Sequence, residues 1–124
     1  MFQIKEDLTI ELTRGDAVCF SLMAEDEDGT PYEFQVGDVV RLTVCKKKNC
    51  GEVLLRKDFP ITAGGRELQI FLGSEETRLG ETISKPKEFW YEVELNPAAL
   101  SQTLIGYDER GPKILRLYPE GANQ

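Results

Sequence analysis

Hydrophobic and polar residues alternate with a period of two along most of the chain. Leu8-Thr9-Ile10-Glu11-Leu12-Thr13 puts Leu8, Ile10 and Leu12 on one face, which is the pattern of a strand with one side buried. Arg14-Gly15-Asp16 breaks the alternation, and it resumes with Val18, Phe20 and Leu22 opposed to Ala17, Cys19 and Ser21. Val39 to Cys45 predicts another strand, with Val40, Leu42 and Val44 against Arg41 and Thr43. Beyond a polar tip, Glu52 to Phe59 places Val53 and Leu55 on a shared face, and Pro60 closes the run. Gly64-Gly65 is a hairpin signal leading into Leu68, Ile70 and Leu72.

The stretch Glu88 to Asn96 is the most β-like. Phe89, Tyr91, Val93 and Leu95 form one face, and Trp90, Glu92 and Glu94 form the other. Thr103 to Tyr107 and Lys113 to Tyr118 are two further strands, joined by the turn Asp108-Glu109-Arg110-Gly111-Pro112. Glu25-Asp26-Glu27-Asp28 ending at Gly29 is a connecting turn, and Ser74 is placed to cap one helical turn through Glu75 and Glu76. About eight short strands without a long helix predict an all-β fold. The links are uneven and Asn96 to Gln102 is long, which favours an antiparallel β-sandwich of seven to eight strands over an up-and-down barrel. Residues 1–124 form one domain, with 118–124 as a loose tail.

Charge narrows the functional classes. Fifteen basic and 22 acidic residues leave a net charge of −7, which disfavours nucleic acid and anionic membrane as partners. Lys46-Lys47-Lys48 is the local exception, and at a hairpin tip it reads as solvated turn charge. Histidine is absent, which removes Ser-His-Asp and Cys-His nucleophile pairs and His-ligated zinc. The expectation is a protein that is not an enzyme and carries no cofactor and no metal.

If the lysine tip is a hairpin, the flanking Cys45 and Cys50 face each other closely enough for a disulfide; in a reducing cytosol thiols are expected instead, and three cysteines make no paired framework. The amino terminus carries charge at Lys5, Glu6 and Asp7, where a secretory leader would carry an apolar run. No stretch nears the ~20 apolar residues of a membrane span. Synthesis in the cytoplasm is therefore expected.

Four clusters carry candidate chemistry. Arg14-Gly15-Asp16 matches a receptor-read tripeptide but sits where turn residues belong. Asp26, Asp28 and Gly29 fit three positions of an EF-hand loop, whose first and twelfth would be Ala24 and Gln35, so principal carboxylates are missing. Glu92 and Glu94, spaced about 6.5–7 Å apart on a strand, have the separation of an inverting glycosidase pair, as any acidic strand does. Trp90 and Tyr118 offer flat surfaces for a sugar ring, with Tyr91 available if its face is open. These three aromatics are the candidate glycan or partner contacts, and a carbohydrate-binding module is the alternative reading.

Several of these motifs occur together in one order. Ile10-Glu11-Leu12-Thr13-Arg14-Gly15-Asp16, Phe20-Ser21-Leu22, Glu27-Asp28-Gly29-Thr30-Pro31-Tyr32 and Val40-Arg41-Leu42-Thr43-Val44-Cys45-Lys46 resemble small structural proteins of tailed phages and prophages of Gram-positive bacteria. Trp90 to Leu95 and Gly106-Tyr107-Asp108 extend the resemblance over about residues 8–118. It is similar to the immunoglobulin-like amino-terminal domain of baseplate proteins. The resemblance implies an immunoglobulin-like sandwich in a virion's baseplate, tail or collar, made in the bacterial cytoplasm and acting by protein–protein docking. It implies other virion structural proteins, or a second copy, as partners, and it carries no catalytic residues. Docking is expected through the terminal strands, Leu8 to Thr13 or Lys113 to Tyr118, because exposed edges pair with neighbours.

Overall fold

The computed structural model describes residues 2–25, 28–98, 100–108 and 111–120. Nine strands form, and among the described residues there is no helix. They are β1 (Phe2–Ile4), β2 (Ile10–Thr13), β3 (Val18–Leu22), β4 (Val39–Cys45), β5 (Val53–Pro60), β6 (Leu68–Leu72), β7 (Lys87–Leu95), β8 (Gln102–Ile105) and β9 (Lys113–Tyr118). Seven make one sheet in the order β1-β2-β9-β7-β4-β5, with β8 also on β7, and β3 and β6 pair as a second sheet. The fold is all-β and sandwich-like, as the alternation predicts.

Period two sets the layers. Val40, Leu42, Val44, Phe89, Tyr91, Val93, Leu95, Leu115 and Leu117 of the large sheet are buried together with Val18, Leu22, Ile70 and Leu72 of the small one. Each such side chain contributes about 1.5–3 kcal/mol on burial. The outward residues of β4 and β7 face one another across the ladder: Arg41 opposite Glu94, Thr43 opposite Glu92, Cys45 opposite Trp90.

Several connections differ from the sequence expectation. Gly64-Gly65 does not turn a hairpin, because β5 and β6 belong to different sheets. Gly65 instead exchanges two backbone hydrogen bonds with Phe34, at 2.7 and 3.1 Å. A Cβ on Gly64 would lie 3.0 Å from the Phe34 carbonyl oxygen, so that close approach is what the glycine permits. Ser74 caps no helix. The chain makes a run of turns, in which the Gly73 carbonyl accepts from the Glu76 and Thr77 amides and Glu76 Oε1 accepts from the Gly73 amide. Val53 and Leu55 fall on opposite faces, since a bulge between Val44 and Cys45 sets Val53 opposite Cys45 and Leu55 opposite Val44. The link from Asn96 to Gln102 is a hairpin return along β7 and makes no sheet crossing.

The end strands carry the largest surprise. β2 and β9 run parallel, Ile10 opposite Leu115 and Leu12 opposite Leu117, so the sheet is not wholly antiparallel. β1 then folds back on β2, and β7 lies on the far side of β9. Leu8 to Thr13 and Lys113 to Tyr118 are therefore interior, and neither is the docking edge expected of it. Buried Glu11 is the hub of the outer face here. It accepts from Arg116 at 2.8 Å and from the Tyr118 hydroxyl at 2.9 Å, while Arg116 also donates to Glu88 at 2.7 Å. The Arg116 bond, followed by that of Tyr118, holds the Glu11 carboxyl below its usual range.

Candidate functional site

β8 and β9 are two halves of one line along β7. β8 covers Val93 to Leu95 and β9 covers Lys87 to Tyr91 on that same edge. Between them the described residues 106–108 and 111–112 lie outside the strands as an excursion, where the sequence suggested a simple turn between two strands. Gly106 is where the chain departs, and a Cβ there would meet Thr103 Cγ2 at 2.6 Å. Asp108 and Gly111 close the excursion with reciprocal backbone bonds of 3.2 and 2.8 Å. Lys113 braces it through a 2.6 Å ion pair with Asp108. The rest of that turn, Glu109 and Arg110, lies outside the described residues.

The β4–β5 tip rises opposite. Lys46 donates its amide to the Glu52 carbonyl and Cys50 its amide to Lys47, at 2.8 Å each. Cys50 adopts a φ of 58°, and its Cα stands 5.0 Å from that of Cys45, within the span a disulfide bridges. The two sulfurs are bonded, where thiols were expected. The left-handed backbone at Cys50 belongs to the turn that sets the pair face to face.

Between tip and excursion lies a cleft of about 690 Å³, within the range of small-ligand sites. Trp90 lines it, cross-strand from Cys45 of the disulfide. Lys47, Lys48 and Asn49 line the tip side, and Tyr107, Pro112 and Lys113 the excursion side. Glu92 joins the lining next to Trp90. The arrangement offers aromatic surface, amide and carboxylate hydrogen-bonding groups, and cationic charge in one place.

Of the three candidate aromatics Trp90 and Tyr91 both line the cleft, and only Trp90 belongs to the outward face of β7. Tyr91 points inward, 4% exposed, and its hydroxyl donates to the Leu8 carbonyl. Burial pushes that phenol well above the usual tyrosine range, so its ring is not an open platform. Tyr118 shares the outer face with Trp90 but is four residues from Ile114, Trp90's cross-strand partner. That is roughly 13 Å along the strand, with the Arg116 cluster between them. Tyr118 is occupied by Glu11, whose carboxylate raises its pKa.

Tyr107, 78% exposed, is the aromatic that sequence reasoning missed. Sequence alternation carries the strand through Tyr107, but β8 ends at Ile105 and Gly106 turns the chain away, which leaves Tyr107 outside the sheet.

The remaining motifs are structural in their surroundings. Arg14 bonds Glu120 and the Gly80 carbonyl, each at 3.3 Å, and only 11% of its side chain is exposed, so the Arg-Gly-Asp tripeptide is not presented. The expected tail of 118–124 is not loose at its start, since Tyr118 ends β9 and Glu120 pairs with Arg14 and Arg78; Gly121 to Gln124, and Asp26 and Glu27 of the acidic run, lie outside the described residues. Among the described residues no cluster of three His, Cys, Asp or Glu side chains is placed to hold a metal. Glu94 accepts from the Ser101 hydroxyl at 3.3 Å, while Glu92 faces the cleft. No known family model matches the chain, and neither a curated protein nor a solved structure is similar to it.

Proposed function

We propose that the chain is a non-enzymatic structural component of a phage or prophage particle, made in the bacterial cytoplasm, that works by docking onto neighbouring virion proteins or a second copy. The observation that carries the docking reading is the small sheet. β3 and β6 together contain ten residues and no charge, in a chain with 30% charged residues. Their outward side chains are Cys19, Ser21, Gln69 and Phe71.

Two other edges, β5 and β1, carry features that discourage pairing. β5 holds Arg56, Lys57, Asp58 and Pro60, and β1 is only three residues long. Lys57 also reaches over to the Phe71 carbonyl at 2.6 Å, which guards part of β6. Among the described residues β3 pairs with β6 alone. Its far edge is therefore the docking edge, replacing the terminal strands first expected to serve. The virion part of the reading rests on the order of strand and turn motifs from Ile10 to Asp108, and the immunoglobulin-like description belongs with it.

The test is incorporation. A Cys19→Lys/Ser21→Lys double variant places two charges on β3 at exposed positions. It should fold with the melting temperature of the wild type to within about 4 °C, since exposed substitutions cost little. Its recovery in purified particles should drop at least tenfold. Undiminished recovery of the folded variant would rule out β3 as the docking edge.

A further inference from the structure

The Trp90 cleft has no part in the docking edge on β3, and its chemistry points to a separate ligand. Its floor strands are fully paired: β4 lies between β5 and β7, and β7 lies between β4 and the β8–β9 line. No strand edge is left there for a peptide to extend. Whatever binds must be read by side chains alone, which suits a compact ring better than an extended chain.

The side chains present are those a sugar ring uses. Trp90 and Tyr107 supply aromatic faces, and Asn49 and Glu92 supply hydrogen-bonding groups. The charge distribution adds specificity. Lys46 is within 3.9 Å of Glu52 and Lys113 is paired with Asp108, whereas Lys47 and Lys48 have no carboxylate partner among the described residues. Two lysines at one wall of a cleft with no carboxylate partner among the described residues, on a chain of net charge −7, make a local site for an anion.

We propose that this cleft binds an anionic saccharide. The ring stacks on Trp90 beside Tyr107, its hydroxyls bond Asn49 and Glu92, and its acidic substituent sits at Lys47 and Lys48, away from Glu92. The disulfide holds the tip that carries the two lysines. The proposal stands or falls independently of particle docking.

Trp90 is the sole tryptophan of the chain, so indole fluorescence reports on this cleft only. The purified full chain is titrated with a panel of oligosaccharides bearing carboxylate, phosphate or sulfate groups, each beside its neutral parent, and with an acidic proline-containing peptide. At least one charged saccharide should give a saturable emission shift and bind at least tenfold tighter than its neutral parent. Lys47→Glu/Lys48→Glu should abolish that advantage, and Tyr107→Ala, at an exposed position that leaves the core intact, should weaken binding at least fivefold. The proposal is overturned if no saccharide gives a saturable shift, if charged and neutral members bind equally, if the peptide alone binds, or if the variants bind as the wild type does.

Discussion

Thr77 is fully buried although it belongs to a run of turns, and its hydroxyl is the reason. Oγ1 accepts from the Gly15 amide at 3.0 Å and lies 2.9 Å from the Asp16 carbonyl and 3.1 Å from that of Ser74. One hydroxyl thus ties the β2–β3 turn to the segment between β6 and β7, two parts of the chain more than sixty residues apart. Thr77→Val keeps the volume and removes the hydroxyl. The Gly15 amide loses its acceptor and the hydroxyl's own donated bond disappears, at a combined cost of about 2 kcal/mol. With an unfolding entropy of about 2.1 cal/mol/K per residue, that corresponds to a melting temperature lower by about 8 °C for a chain of 124 residues. Thr77→Ser retains the hydroxyl and loses only a methyl group, so it should melt several degrees above Thr77→Val. Thermal unfolding followed by circular dichroism measures both. If Thr77→Val melts within about 2 °C of the wild type, the hydroxyl does not hold these turns together.

Asp38 gives a pH prediction. Its carboxylate accepts from the Gln35 amide at 2.9 Å, the Tyr32 hydroxyl at 2.8 Å and the Asn96 amide group at 3.1 Å. The Gln35 bond foremost holds its pKa below the usual 3.8, against burial. A carboxyl depressed on folding stabilises above its unfolded pKa, and the contribution is lost as pH falls through the folded value. Asp38→Asn should therefore lower the urea midpoint at pH 6 more than at pH 3, and an equal loss at both would refute this. Tyr91→Phe deletes the bond to the Leu8 carbonyl and should cost about 1 kcal/mol, read as a shift in urea midpoint with the slope unchanged. Reducing the Cys45–Cys50 bond opens a loop of sequence separation five. It should lower stability by about 2 kcal/mol without unfolding the chain, so dithiothreitol should shift the melt and leave the far-ultraviolet spectrum at room temperature unchanged.

The strands were legible where alternation decides burial. Val40, Leu42 and Val44, and Phe89, Tyr91, Val93 and Leu95, fall on the core face by period two alone, and they lie there. Pairing was not legible, because period two says which face is buried and not which strand lies alongside. The parallel β2–β9 ladder and the interior position of both terminal strands follow from that gap. β1 escaped notice since Phe2, Gln3 and Ile4 are all exposed and give no buried periodicity.

The site was half legible. Trp90 could be placed on the outer face, but its companions arrive from a hairpin tip and an excursion that interrupts one strand line. Cys50 depends on a left-handed backbone and Tyr107 on a departure at Gly106. Neither leaves a hydrophobic period to read, and alternation does not tell how far apart Trp90 and Tyr118 stand along the sheet.

The most direct test of the central claim is to induce prophages in a host carrying the gene, purify intact particles and quantify this chain by mass spectrometry against the known particle proteins. The account predicts the chain at a fixed, stoichiometric ratio that survives density-gradient banding. Its absence from abundant intact particles would contradict the structural role.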